Sequence, residues 1–263
     1  LNTACFSKQD MFLSIFSNKK VLQKNSKRLI KEHSKSANQE KISDCLPMTI
    51  KIPFYVGKNE YVLKMSKALE KNLKQDLLGA YVHGSLATEE QLKYSDFDAL
   101  VILKDEVFES KERIYKVAKR LNNLQGIMLK FDPLQHHGWF VLKESMLKNY
   151  PLEYFPPVLF EYSKSMLKGQ GESITLYADR ATVDFNSPFY KLANSLIIKL
   201  NNFKKTKNSF VLKSLLSEFM LLPSLYIQAQ KGEGVFKKHS YDIARRDFKE
   251  QDWGIMDEVS EIR

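Results

Sequence analysis

The stretch YVHGSLATEEQLKYSDFDALVIL, residues 81–103, constrains this chain more than any other. A short apolar run ends at Gly84-Ser85, and a second apolar run begins at Asp96-Phe97-Asp98. The pattern predicts a strand, a small-residue turn and a second strand. Residues i and i+2 of a strand point to one face, so Asp96 and Asp98 aim side by side at one spot. Two adjacent anions repel, and a hard divalent cation with oxygen ligands, Mg2+ or Mn2+, answers that repulsion best. Gly84 and Ser85 supply a backbone that approaches closely and N–H groups suited to phosphate. Together these parts point to metal-assisted transfer from a nucleoside triphosphate.

The surrounding pattern predicts an α/β unit over residues 46–184. A helix is expected near 59–77, with Val62, Met65, Leu69 and Leu73 at helical spacing. The strands GAYVHG at 79–84 and FDALVIL at 97–103 flank the turn. An amphipathic helix over 109–125 carries Ile114, Val117, Ala118, Leu121 and Leu124 on one stripe, and Gly126 is read as its end. Strands IMLKFD at 127–132 and GWFVL at 138–142 follow. Beyond Pro151, Pro156 and Pro157, a helix VLFEYSKSMLKG ending at Gly169 and an edge strand ITLYAD are expected. Ser187-Pro188 then opens an all-helical region over 185–263. Its first helix buries Phe189, Leu192, Leu196, Leu200 and Phe203. A second spans 209–230 with a kink at Pro223, and Ser240 is read as the cap of a final basic helix. The fold class is therefore α+β: a small mixed sheet with helices, followed by an all-helical domain.

Charge and cysteine content narrow the setting. The net charge is +10. Residues 1–45 read as a basic extension; positions 1–50 hold nine Lys or Arg against four acids. Such a segment can touch nucleic acid, although the plainer reading is a solvated leader. Few aromatics interleave with those lysines, so a base-stacking surface is not suggested. Cys5 and Cys45 read as free thiols of a cytoplasmic protein. No apolar run is long enough to suggest a membrane span, and no secretory signal is visible. The chain opens at Leu1 without a methionine and stops at Arg263 inside a helical-looking run, which reads as a fragment.

The combination of Gly84-Ser85, about ten residues, and Asp96-Phe97-Asp98 resembles the signature of the DNA polymerase β-like nucleotidyltransferase superfamily. The resemblance covers roughly residues 60–142, and the later segments are similar in pattern to antibiotic-type or other bacterial nucleotidyltransferases. It implies that Gly84 and Ser85 hold the β- and γ-phosphates and that Asp96 and Asp98 bind the bridging metal. Asp132, in LKFDP, matches the family's third carboxylate, as a metal ligand or as base on the acceptor; its plain alternative is a turn start before Pro133. ATP is the default donor. Lys238, beside Lys237 in the helical region, is the basic residue that would reach the triphosphate; the alternative is a solvated basic loop.

Other residues leave alternatives open. His136 and His137 could contact phosphate or assist the acceptor, or could order a turn before Gly138. A zinc reading is poor, because no cysteine and no helical histidine pair lies nearby. His83 reads as packing in preference to catalysis. Three functions remain: nucleotide transfer to a small hydroxyl molecule, the same transfer to a protein or RNA, or a non-catalytic nucleotide-binding module.

Overall fold

The computed structural model describes residues 47–152, 154–178, 183–206 and 208–262, without the side chains of 202–206 and 251. The basic leader, Cys5 and Cys45 lie outside the described residues. The chain divides into two units, one within Asp44–Val183 and one within Asp184–Arg263.

The first unit is built on a four-stranded sheet of order β4-β3-β2-β5. Strand β1 (Pro47–Lys51) pairs separately with β6 (Ser173–Tyr177), antiparallel. Strand β2 (Leu77–Val82) lies antiparallel to β3 (Ala99–Leu103) and to the short β5 (Lys164–Ser165). Strand β3 runs parallel to β4 (Phe140–Lys143), a pairing that requires a crossover. Helix α3 (Lys111–Phe131) supplies it. Helix α1 (Glu60–Asn72) begins where the Asn59 side chain accepts the N–H groups of Tyr61 and Val62, and it buries Val62, Met65 and Leu69. These side chains join Ala80, Val82, Phe97, Ala99, Val101, Val117 and Leu121 in one core.

Two expected elements differ. Residues 127–131 are not a strand; α3 runs through Gly126 and ends at Phe131. A glycine inside a helix costs about 1 kcal/mol. Burying Met128 returns about 1.5–3 kcal/mol, and Phe131 packs edge-on against Phe97 and Tyr61. Packing therefore outweighs the glycine. The signal was present: Val117, Leu121, Leu124, Met128 and Phe131 continue one helical stripe. The helix expected up to Gly169 is only the turn α4 (Val158–Glu161). The Ser163 hydroxyl donates back to the Leu159 carbonyl, and Ser165 bonds to the backbone of Leu167 and Gln170. Such local bonds compete with a helix, and β2 offers the segment a strand partner instead.

The second unit is helical: α5 (Ser187–Thr206), α6 (Ser209–Phe219), α7 (Leu222–Lys231), α8 (Lys237–Arg245) and α9 (Glu250–Ile262). Phe189, Ala193 and Leu196 meet Leu215, Phe219, Tyr226, Ile227, Trp253 and Met256 in its core. Leu192 and Leu200 pack against that core half-buried, and the Phe203 side chain is outside the described residues. Pro223 sits in the first turn of α7, so the expected kink is a break between two helices. Ser240 is not a cap. Phe236 holds that position, and the Ser240 hydroxyl donates to the Lys237 carbonyl inside α8 while pairing with Ser224. By length and composition alone, Ser209–Lys231 is apolar enough to cross a membrane, a test that the core helices of a globular unit also pass. Leu215, Phe219, Tyr226 and Ile227 of that stretch lie in the core of this unit.

Candidate active site

The site forms where β2 ends and β3 begins. The His83 N–H donates to the Asp98 carbonyl at 3.0 Å, so pairing of the two strands extends one step past β2. Asp96, Phe97 and Asp98 form the approach to β3. Phe97 is fully buried in the core, and its ring meets Phe131 at 5.9 Å. The strand expected from residue 97 begins only at Ala99, so Asp96 and Asp98 lie before it, and each meets a loop histidine instead. Asp96 is buried, and Asp98 is about a quarter exposed.

Gly84 follows with φ +65°, the left-handed region that favours glycine. Space demands glycine as well: a Cβ there would stand 2.3 Å from Asp98 Oδ2. Ser85 continues into the short helix α2 (Gly84–Ala87). The turn and the second carboxylate are therefore in direct contact.

A loop from α3 closes against the carboxylates. Gln135 clasps the backbone of Phe97 at both ends: its Oε1 accepts the Phe97 N–H at 2.8 Å, and its Nε2 donates to the Phe97 carbonyl at 3.2 Å. The same Nε2 donates to the His137 carbonyl at 2.9 Å. This clasp delivers the two histidines to the two aspartates. His137 Nε2 lies 2.9 Å from Asp98 Oδ1, and His136 Nδ1 lies 3.2 Å from Asp96 Oδ1. The second pair is at ion-pair distance but off hydrogen-bond geometry, which leaves His136 Nδ1 buried without a hydrogen bond. Sequence reasoning placed the histidines near the site but missed Gln135. Its only trace was a polar residue beside a histidine pair in a loop.

Charge in the site is balanced locally. Burial alone would raise the Asp98 pKa. The His137 hydrogen bond and the neighbouring His83 and His137 outweigh it and hold the carboxyl below its ordinary value. Burial likewise opposes the His137 imidazolium, but bonding to Asp98 and the charges of Asp98 and Asp96 raise it overall. His83 is governed by burial, which pushes its pKa down to about 4. Its ring sits edge-on to Phe140 and Phe155, at 5.4 and 5.0 Å, and is neutral at pH 7.

The remaining expected site residues are placed as follows. Asp132 is buried at the C-cap of α3, not on a strand. Its Oδ1 accepts the Leu134 N–H at 3.0 Å and shapes the turn at Pro133. Lys238 lies exposed in the first turn of α8, in the helical unit. Asp96, His136 and His137 each offer a ligand atom, all within 4.8 Å of one another. With an unsatisfied buried nitrogen beside a buried carboxylate, this donor set fits a divalent cation.

A turn forced to glycine by contact with Asp98, with Asp96 and Asp98 each met by a loop histidine, forms the candidate site. Residues 62–151 match the family model of the nucleotidyltransferase domain. The matched stretch is similar to nucleotidyltransferase domains of the polymerase β-like superfamily, and that likeness marks the protein as an enzyme of the nucleotidyl-transferring class. A solved structure similar to this chain is spectinomycin adenyltransferase AAD(9) from Enterococcus faecialis, determined with ATP and spectinomycin. The TM-score is 0.41 and the identity 14%, over 78% of this chain and 90% of that one. No curated protein matches the chain.

Proposed function

We propose that this protein moves a nucleoside monophosphate from a nucleoside triphosphate, ATP first among them, to the hydroxyl of a small molecule, with a divalent cation such as Mg2+ or Mn2+. One observation carries the reading: Gly84 touches Asp98, and one loop brings His136 to Asp96 and His137 to Asp98. Phosphates held against the Gly84-Ser85 backbone would lie beside the carboxylates. The acceptor oxygen attacks the α-phosphorus, the bond from that phosphorus to the bridging oxygen breaks, and pyrophosphate leaves with the electron pair. The acceptor proton passes to a base, for which Asp132 is our candidate. A cation bound at Asp96 and Asp98 would neutralise the growing charge on the phosphate oxygens. Lys238 is the candidate second contact to the triphosphate. A cytoplasmic location, where triphosphates are supplied, accompanies this reading.

Two observations favour specific alternatives. The Leu134 bond supports a purely structural Asp132. The net charge of +10 fits an RNA or protein acceptor as well as a small one. The test is incubation with α-labelled nucleoside triphosphates, a divalent cation and pools of each acceptor class. Labelled product and released pyrophosphate are expected, and both vanish in Asp96→Asn and Asp98→Asn. Asp132→Asn should lower the rate about a hundredfold if it is the base, and only a few-fold if it merely starts the turn. Tight nucleotide binding with no pyrophosphate from any pool would leave the binding-module reading in its place.

A further inference from the structure

We propose that His136 and His137 join Asp96 as metal ligands, so that the cation site is a mixed imidazole–carboxylate site selecting a first-row transition dication over Mg2+. The inference deepens the function above and rests on it only in taking Asp96 as a ligand.

Geometry is the first argument. Three ligands around a transition cation at about 2.0–2.2 Å stand about 3–3.5 Å apart. The His136 Nδ1 to Asp96 Oδ1 separation is already 3.2 Å, and all three ligand atoms lie within 4.8 Å of one another. Small side-chain rotations bring them onto one ion. The second argument is the orphaned nitrogen. His136 Nδ1 is buried, lies against a carboxylate, and makes no hydrogen bond. A buried polar atom without a hydrogen bond is destabilising, and a metal bond removes that cost. The third is preorganisation. Gln135 fixes the loop to Phe97, and Asp98 bonds His137 at 2.9 Å, as carboxylates commonly orient metal-binding imidazoles.

Ligand chemistry then sets the preference. Mg2+ takes oxygen ligands and keeps its waters. Imidazole favours Zn2+, Co2+, Fe2+ and Ni2+, and affinity rises along the series from Mn2+ towards Cu2+. The absence of nearby cysteine in the sequence does not exclude such a site, because nitrogen and carboxylate donors suffice.

The test uses the full chain, stripped of metal by a chelator and without nucleotide, titrated with Co2+. One equivalent should bind and give visible d–d absorption. His136→Ala and His137→Ala should each weaken binding at least about tenfold. In the unmutated protein, Co2+ should shift the imidazole resonances of His136 and His137. A thousandfold excess of Mg2+ should fail to displace the cobalt. Equal cobalt affinity in both histidine variants, unshifted resonances, or ready displacement by Mg2+ overturns the inference. Mg2+-supported transfer without a cobalt site would overturn this inference alone; a cobalt site without transfer in any cation would overturn the proposed function alone.

Discussion

His83 shows what a single residue contributes next to a site. It is enclosed by Phe140 and Phe155, its Nε2 is buried without a partner, and burial holds its pKa at about 4. The unfolded chain binds its proton near the ordinary value of 6.5, so between the two values it carries a proton the folded state lacks. Stability therefore falls as pH drops from 6.5 to about 4, by up to about 3 kcal/mol for this group. His83→Phe removes that loss and the unpaired nitrogen. Melting temperature followed against pH should decline less steeply in acid for the variant than for the parent. Parallel curves would show that other groups govern acid unfolding. At this scale the spacing of Asp96 and Asp98 was plain in the sequence, although both precede β3 and strand alternation does not fix their faces. The histidines' task was not. It depends on Gln135 reaching Phe97 across 38 positions of sequence, and no local pattern encodes that contact.

Among the elements, α3 taught most. Its last two turns looked like a strand because Gly126 resembled a stop and the following residues were apolar. The stripe from Val117 to Phe131 was the stronger signal, since periodicity sums over many residues and one glycine costs only about 1 kcal/mol. α3 carries the chain directly to Asp132, so that carboxylate stands at a helix end. Gly126 is exposed, and an added Cβ meets nothing within 4 Å. Gly126→Ala should therefore raise stability by about 0.8–1 kcal/mol, read by denaturant unfolding. A loss of stability would mean that the glycine allows a conformation an alanine resists. The helix expected up to Gly169 failed for the opposite reason, because strand pairing with β2 overrode a helical pattern that Ser163 and Ser165 had already weakened.

At the scale of the whole molecule, each unit owns a core and one of the chain's two tryptophans, Trp139 and Trp253. Leu69 is fully buried in the first core. Leu69→Ala should cost about 2–5 kcal/mol there. In protein labelled with fluorotryptophan, the Trp139 resonance should report unfolding at distinctly lower denaturant than in the parent, and the Trp253 resonance should move less. Equal shifts at both would show that the units unfold as one. The expected boundary near residue 185 rests on the change from alternating sheet patterns to long apolar helices. The clasp by Gln135 bears on how such a basic protein meets varying ionic strength. Salt screens charge pairs over roughly a Debye length, about 8 Å in physiological buffer, and loosens exposed ones first. The clasp is an uncharged amide bonded to an uncharged peptide, and the histidine–aspartate pairs it presents are largely buried, so added salt acts weakly on both. High salt would thus loosen the exposed helix-surface pairs while leaving the architecture of the site in place.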